Sequence, residues 1–256
     1  MTLDPAVRSI GADFELRLPD EASASASQDE EWCEVEVDGQ TRRLRFHDYS
    51  DIYSIPGLYE RLIYERLGCQ SPRVIAGLLK GELASRGADP ADLRVLDLGA
   101  GNGIVAEELA EAGVEHFVGV DIIQEAADAA ERDRPGLYAE YVAADLMDSS
   151  SGASERLRRQ NLNALTCVAA LGFGDIPPAV FCEALRHIDT PGLVAYTIKD
   201  AFLGDKDESG FSDLVERLEE EGVLCTVTRE RYQHRLNWAG EPLHYVAVLA
   251  EKRQDF

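Results

Sequence analysis

A glycine-rich segment is the part of the sequence whose residue types and spacing most directly suggest chemistry. Residues 95–103 read VLDLGAGNG, with Gly99, Gly101 and Gly103 preceding a stretch that is typical of a helix. Glycines let the backbone turn tightly and let a ligand approach it closely. The first turn of a helix also has N–H donors without helical partners, which suits an anionic or polar ligand. The segment therefore predicts a ligand-binding loop between a strand and a helix.

The spacing of these glycines distinguishes between cofactors. A loop that binds a nicotinamide dinucleotide has the spacing GxGxxG, but Ile104 stands where its third glycine would be. This substitution disfavours the alternative of an oxidoreductase that uses such a dinucleotide.

Two aspartates follow the next two apolar stretches. Residues 116–121 read HFVGVD and end in Asp121, and residues 143–146 read AADL and contain Asp145. A carboxylate at the end of the second strand can accept hydrogen bonds from both hydroxyls of a ribose. Because open α/β sheets bind ligands at the carboxyl ends of their strands, these acids and the glycine-rich loop predict a nucleoside-binding site.

The pattern from residue 94 onward predicts the fold that positions these residues. Short apolar stretches typical of strands alternate with amphipathic stretches typical of helices. The predicted strands are 94–98, 116–121, 139–143, 164–169, 193–199, 223–229 and 245–251, and the predicted helices are 104–112, 124–132, 178–187 and 211–221. This order favours an α/β fold with a seven-stranded, mostly parallel sheet and helices on both faces. No helix separates the last two strands, which favours an antiparallel pair at one end.

Residues 1–90 have a different pattern and are predicted to form an extension that caps a core domain, 91–256. Within the extension, residues 20–31 read DEASASASQDEE. These small, polar and acidic residues cannot bury enough apolar surface to offset the entropy of ordering the backbone, so they predict a mobile loop.

The rest of the extension predicts a hairpin and two helices. Alternating residues flank Asp38 and Gly39, and both residues tolerate positive φ, which is typical of a β-hairpin turn. One helix is predicted over 54–68, with Ser54 and Pro56 at its start, and the other over 71–87. Each ends at a glycine.

The motifs at 95–103, 119–121 and 143–146 together resemble those of the class I S-adenosylmethionine-dependent methyltransferases, over roughly the last two-thirds of the chain. The segments GLVAYTIKDAFL and EPLHYVAVLAEKR resemble the small-molecule branch of that family. The resemblance implies a Rossmann-like fold and S-adenosyl-L-methionine as the cofactor.

The resemblance also implies which residues hold the cofactor. Asp97 would support the glycine-rich loop and reach the α-amino group, and Asp121 would hold the ribose hydroxyls. Asp145 would accept a hydrogen bond from the adenine amino group, although an aspartate at this place also suits a simple cap. The full set is Asp97, Gly99, Gly101, Gly103, Asp121, Ile122, Asp145, Leu146, Ala170 and Leu171.

The acceptor side is less well determined by the sequence. Methyl transfer from a sulfonium is an in-line displacement that needs mainly positioning, and a base is needed only for a protonated acceptor. The family accordingly has no fixed catalytic residue. The candidates are His47, Tyr49 and Tyr53, before the first predicted helix, and Asp175, after the fourth predicted strand; His187, His234 and His244 are further candidate bases.

Composition restricts the partners. Lys and Arg number 25 against 48 Asp and Glu, so the formal net charge is −23. Such a charge repels nucleic acids and anionic membranes. The five scattered cysteines form no metal-binding or redox motif, so we expect no metal site and a reducing, cytoplasmic location. A small-molecule acceptor is therefore favoured over the two alternatives, a protein acceptor and a catalytically silent regulatory protein that binds S-adenosylmethionine.

Overall fold

The N-terminal part of the chain forms a small antiparallel sheet. The computed structural model describes residues 14–19, 28–171, 175–200 and 209–256. The sheet contains the strands β1 (Glu15–Arg17), β2 (Trp32–Val37) and β3 (Gln40–Arg45). Asp38 and Gly39 join β2 to β3 with φ values of 52° and 73°, which confirms the hairpin and its turn.

The predicted alternation of strands and helices is confirmed in the second sheet. Its strands are β4 (Arg94–Leu98), β5 (His116–Asp121), β6 (Glu140–Ala143), β7 (Leu162–Cys167), β8 (Ile188–Lys199), β9 (Leu224–Leu236) and β10 (Pro242–Lys252). They lie in the order β6-β5-β4-β7-β8-β10-β9. Strands β4 to β8 pair in parallel, and β10 pairs antiparallel with β8 and β9.

Helices cover both faces of this sheet. They are α1 (Tyr49–Ser54), α2 (Ser71–Arg86), α3 (Ile104–Glu111), α4 (Gln124–Asp133), α5 (Ala153–Arg158), α6 (Pro178–Arg186) and α7 (Phe211–Glu220), with a π-helical segment at Glu60–Arg66. Two large apolar clusters, one on each face, bury the sheet between them. Within the described residues, no helix is long and apolar enough to cross a membrane.

The prediction that a helix begins at Ser54 is wrong, because α1 ends there. Ile55 has extended backbone angles, φ −97° and ψ 111°, as expected for a residue whose helical conformation is disfavoured by a following proline. Pro56 therefore terminates one helix instead of starting the next. The chain turns at Gly57, φ +76°, and winds again only in the π-helical segment, a form that is frequent at functional sites.

The prediction of a mobile loop over 20–31 is wrong at its last residue. Residues 20–27 lie outside the described residues, and Gln28–Glu30 form a single 3-10 turn. The next residue, Glu31, is 1% exposed and pairs with Arg235 of β9, with 2.5 Å between Oε2 and Nη2. This pair joins the N-terminal sheet to the far end of the second sheet.

Candidate functional site

The carboxyl ends of four parallel strands border a cavity of about 670 Å³. In the sheet order, β4 lies between β5 and β7, where the connections depart in opposite directions, and ligands of α/β folds bind at such a point. The N-terminal part provides the opposite wall. The lining residues are His47, Asp48, Tyr49, Ser50, Asp51, Tyr53, Tyr59, Leu98, Gly99, Val120, Asp121, Ile122, Ile123, Ala144, Asp145, Leu146, Met147, Val168, Ala169, Ala170, Asp175, Ile176, Pro177 and Val180.

The three glycines of the loop have positive φ but different surroundings. Gly99 lines the cavity, and a Cβ there would lie 2.9 Å from Ala170 Cβ. A Cβ at Gly101 would overlap the hydroxyl of Tyr53, and one at Gly103 would lie 3.0 Å from Tyr138 Cε2. Gly101 and Gly103 are therefore required by packing against tyrosines, a reason that the sequence did not reveal.

Most backbone N–H groups of the glycine-rich loop donate to acceptors within the protein. The N–H groups of Gly99 and Ala100 both donate to Val120 O, at 2.8 and 3.0 Å, and that of Gly103 donates to Ala100 O at 3.0 Å. The N–H of Gly101 donates to Asp121 Oδ2 at 3.0 Å. The loop folds back over the end of β5, so these N–H groups find their acceptors within the loop and at the end of that strand.

Asp121 lies at the end of β5 and lines the cavity. Its Oδ1 accepts a hydrogen bond from the N–H of Ile123 at 3.2 Å, while its Oδ2 accepts the bond from Gly101. Burial raises the pKa of Asp121, and the hydrogen bonds from these N–H groups oppose the rise. Each oxygen of a carboxylate has a second lone pair, so Asp121 can still accept hydrogen bonds from a ligand.

Asp97 lies behind the loop and is not among the lining residues. It is 1% exposed. Its Oδ1 accepts a hydrogen bond from the Thr166 hydroxyl and its Oδ2 one from the Tyr138 hydroxyl, both at 2.8 Å. Both partners lie outside the glycine-rich loop, and Asp97 itself is not among the residues that line the cavity.

Asp97→Asn is expected to remove a pH dependence of stability. Burial raises the pKa of Asp97 from 3.8 to about 6, although hydrogen bonds from Thr166 and Tyr138 oppose the rise. Since the folded state binds this proton more tightly, the stabilisation is complete below the unfolded pKa and is lost as the pH rises through the folded pKa. The loss is about 3 kcal/mol, at about 1.4 kcal/mol for each pH unit between the two values.

Urea unfolding of the unsubstituted protein and of Asp97→Asn between about pH 4 and pH 7 measures this effect. The free energy of unfolding of the unsubstituted protein, minus that of the variant, should fall across this range. A difference that stays constant with pH would mean that Asp97 does not titrate as its surroundings require.

Exposed apolar side chains flank the acids at one end of the cavity. Ile122 is 67% exposed and Met147 is 53% exposed, and both line the cavity. Asp145 lies there too, with its Oδ1 accepting from the N–H of Met147 at 2.8 Å. Leu146 is buried but contributes to the lining, whereas Leu171 is buried outside it. The sequence analysis had missed Met147, which only its place two residues after Asp145 could have suggested.

Aromatic rings form the wall opposite the sheet. The rings of His47 and Tyr49 stack with centroids 5.7 Å apart, and those of Tyr49 and Tyr53 are 6.1 Å apart. Tyr59, which the sequence analysis missed, continues the row 4.9 Å from Tyr53. The structure thus brings the candidates His47, Tyr49 and Tyr53 to one cavity together with Asp175.

The other candidate histidines do not reach this cavity. His187, at the end of α6, has its Nε2 3.5 Å from Glu183 Oε1. His234 is buried, and its Nδ1 lies 2.6 Å from the Ser71 hydroxyl oxygen. His244 is on β10, and neither it nor the other two is a lining residue. The sequence places these histidines near the ends of predicted elements, but it does not specify which of them reach the cavity.

A network of hydrogen bonds from Arg132 and Arg134 holds the tyrosine row against the glycine-rich loop. Arg134 donates to Glu60 Oε1 at 2.6 Å and to Asn102 O at 3.1 Å. Arg132 donates to the backbone oxygen of Tyr53 at 2.9 Å. Since Glu60 and Tyr53 belong to the N-terminal part and Asn102 to the loop, the network fixes the cavity's two walls relative to each other.

One known protein family matches part of the chain. Residues 95–192 match a family model described as a methyltransferase domain. No curated protein matches the sequence.

Solved structures share the fold at low sequence identity. The N-methyltransferase NodS of Bradyrhizobium japonicum, in complex with S-adenosyl-L-homocysteine, has a TM-score of 0.55 and 12% identity, and the match covers 82% of this chain and 98% of that one. A S-adenosylmethionine-dependent methyltransferase of Anabaena variabilis has a TM-score of 0.52 and 13% identity, with coverage of 80% and 93%. Magnesium protoporphyrin IX methyltransferase of Synechocystis has a TM-score of 0.50 and 14% identity, with coverage of 75% and 88%. At sequence identities this low, the structural matches establish only that the fold is shared.

Proposed function

We propose that this chain, whose residues 95–192 match a family model described as a methyltransferase domain, is a class I S-adenosylmethionine-dependent methyltransferase that methylates a small molecule in the cavity at the strand ends. The observation that supports this proposal is the cavity itself. It has a volume of about 670 Å³ and walls from both the sheet and the N-terminal part, within the size range of small-molecule sites.

The residues present fit S-adenosylmethionine. Ile122 and Met147 expose apolar surface beside Asp145, an arrangement suited to a planar base whose amino group needs an acceptor. Asp121 has lone pairs left for the two hydroxyl donors of a ribose. Gly99 and Ala170 line the same cavity. When bound, the cofactor supplies a methyl group on a positively charged sulfur, which needs no further activation.

The protein's own contribution is positioning. The strand ends hold one side of the cavity and the row of Tyr49, Tyr53 and Tyr59 the other, so two bound molecules can be kept in line at reacting distance. A water-poor site also strengthens the electrostatic interactions within it. We propose that residues 1–90 act as a cap over this cavity, through α1 and the tyrosine row.

The net charge of the chain supports a small acceptor. The net charge of −23 opposes nucleic-acid substrates. All five cysteines are free thiols, which supports the cytoplasmic location inferred from the sequence.

Calorimetric titration with S-adenosylhomocysteine tests the proposed role of Asp121. Asp121→Ala should weaken binding by about 1–3 kcal/mol, because it removes the acceptor for the ribose hydroxyls. Asp128→Ala is the matched control, since Asp128 is exposed on α4 and bonds only to Gln124 among the described contacts, and it should bind like the unsubstituted protein. Unchanged affinity in Asp121→Ala, or tight NADH binding without response to S-adenosylhomocysteine, would contradict the proposal.

A screen of acceptors that follows the release of S-adenosylhomocysteine then tests turnover.

A further inference from the structure

The backbone adopts a left-handed conformation at Ala169, a residue of the cavity wall. Ala169 has φ +55° and lines the cavity. The other two described non-glycine residues with positive φ are Asp38 and Asn161, and these residue types tolerate the conformation because their short polar side chains can hydrogen-bond locally. Alanine has no such compensation, so the surrounding structure must impose its conformation.

A buried hydroxyl on the neighbouring strand fixes Ala169. Strand β7 ends at Cys167, two residues before the predicted end, so Ala169 lies beyond the ladder that pairs β7 with β8. Its N–H donates instead to Thr197 Oγ1 at 2.7 Å. Thr197 belongs to β8 and is fully buried. Any conformation of Ala169 that turns the N–H away loses this hydrogen bond, so Thr197 favours the observed conformation.

The segment that contains Ala169 packs against the glycine-rich loop. Val168, Ala169 and Ala170 all line the cavity. A Cβ at Gly99 would lie 2.9 Å from Ala170 Cβ and 3.0 Å from Ile176 Cδ1, so the segment and the loop are in direct contact. Because Ala170 follows Ala169 in the chain, a different backbone conformation at Ala169 would move Ala170 relative to Gly99. The conformation of Ala169 therefore determines the shape of the cavity beside the loop.

We infer that Thr197 is a positioning residue of the proposed cofactor site. Its hydroxyl holds Ala169 in the left-handed conformation, and Ala169 sets the position of the wall at 168–170 against the glycine-rich loop. This inference rests on the proposed function. The sequence analysis missed Thr197, which lies within a predicted strand and is not a lining residue. Thr197 acts through the backbone of Ala169.

Two substitutions of Thr197 test this role by calorimetric titration with S-adenosylhomocysteine. Thr197→Val replaces the hydroxyl by a methyl group and should weaken binding by at least about fivefold, because loss of the hydrogen bond lowers the fraction of protein with the correct wall. Thr197→Ser retains an acceptor hydroxyl and should bind more tightly than Thr197→Val. Unchanged affinity in Thr197→Val, or an equal loss in both variants, would overturn the inference.

A second substitution tests whether Thr197 acts through Ala169. Glycine adopts positive φ without strain, so the correct wall conformation depends less on the hydroxyl in protein that carries Ala169→Gly. In that background, adding Thr197→Val should weaken binding by less than about twofold. A loss as large as in the unsubstituted background would overturn the action through Ala169. Ile75→Val is the control for general destabilisation, because Ile75 is buried on α2 and is not a lining residue, and its affinity should be unchanged.

The unsubstituted protein separates this inference from the proposed function. If it does not bind S-adenosylhomocysteine, the proposed function is contradicted, and the role of Thr197 with it. If it binds and Thr197→Val binds equally well, only the positioning role is contradicted.

Discussion

Glu31→Gln should lower the free energy of unfolding by about 3–5 kcal/mol, the loss expected when one partner of a buried ion pair is removed. The side chains of Glu31 and Arg235 are 1% and 4% exposed. Glu31 Oε1 also accepts a hydrogen bond from the N–H of Trp238 at 2.9 Å. Glutamine retains the shape and one acceptor, but it leaves the charge of Arg235 buried without a charged partner.

Equilibrium unfolding in urea measures this loss as a lower midpoint at unchanged slope. Glu155→Gln is the control, because Glu155 and Arg159 are 69% and 71% exposed in their pair, and such pairs contribute about 0–1 kcal/mol. Adding Arg235→Met to Glu31→Gln should restore part of the stability, since the uncompensated charge is then gone. A loss in Glu31→Gln no larger than in the control would show that the pair is not buried in solution.

Gly101→Ala should weaken S-adenosylhomocysteine binding by more than about tenfold and destabilise the fold by about 1–3 kcal/mol. Gly101 has φ +54°, a conformation that alanine adopts only with strain. Its new methyl group would also overlap the hydroxyl of Tyr53. Relief of that overlap must displace either the tyrosine row or the loop whose N–H bonds to Asp121, and both border the proposed cofactor site.

A double-mutant cycle separates the two causes. Tyr53→Phe removes the overlapping oxygen, so Gly101→Ala should be less damaging in its presence, and the difference is the coupling energy of the contact. Gly81→Ala is the control, because Gly81 lies in helix α2 with open space around it and alanine is favoured there by about 0.5–1 kcal/mol. Additive effects of Gly101→Ala and Tyr53→Phe would mean that the two residues do not touch.

The sequence alone predicted the second sheet, which the structure confirms, and the place of a candidate site. Strands and helices there follow from apolar periodicity, a property of neighbouring residues. The parallel sheet then brings Gly99, Asp121 and Asp145 to one edge, because parallel strands share a carboxyl end. The hairpin turn at Asp38 and Gly39 could also be predicted from neighbouring residues, because it depends on positive φ at two adjacent positions.

Only the tertiary structure decided what the individual groups of the site do. Asp97 bonds to Tyr138, 41 positions away, and not to the cavity, and Glu31 pairs with Arg235 across 204 positions. Tyr53 and Gly101 meet because the N-terminal part packs on the loop. Such contacts depend on how preformed elements dock, and residue type and spacing do not encode the partner of a buried polar group. A buried carboxylate requires some partner, but only packing determines which one it finds.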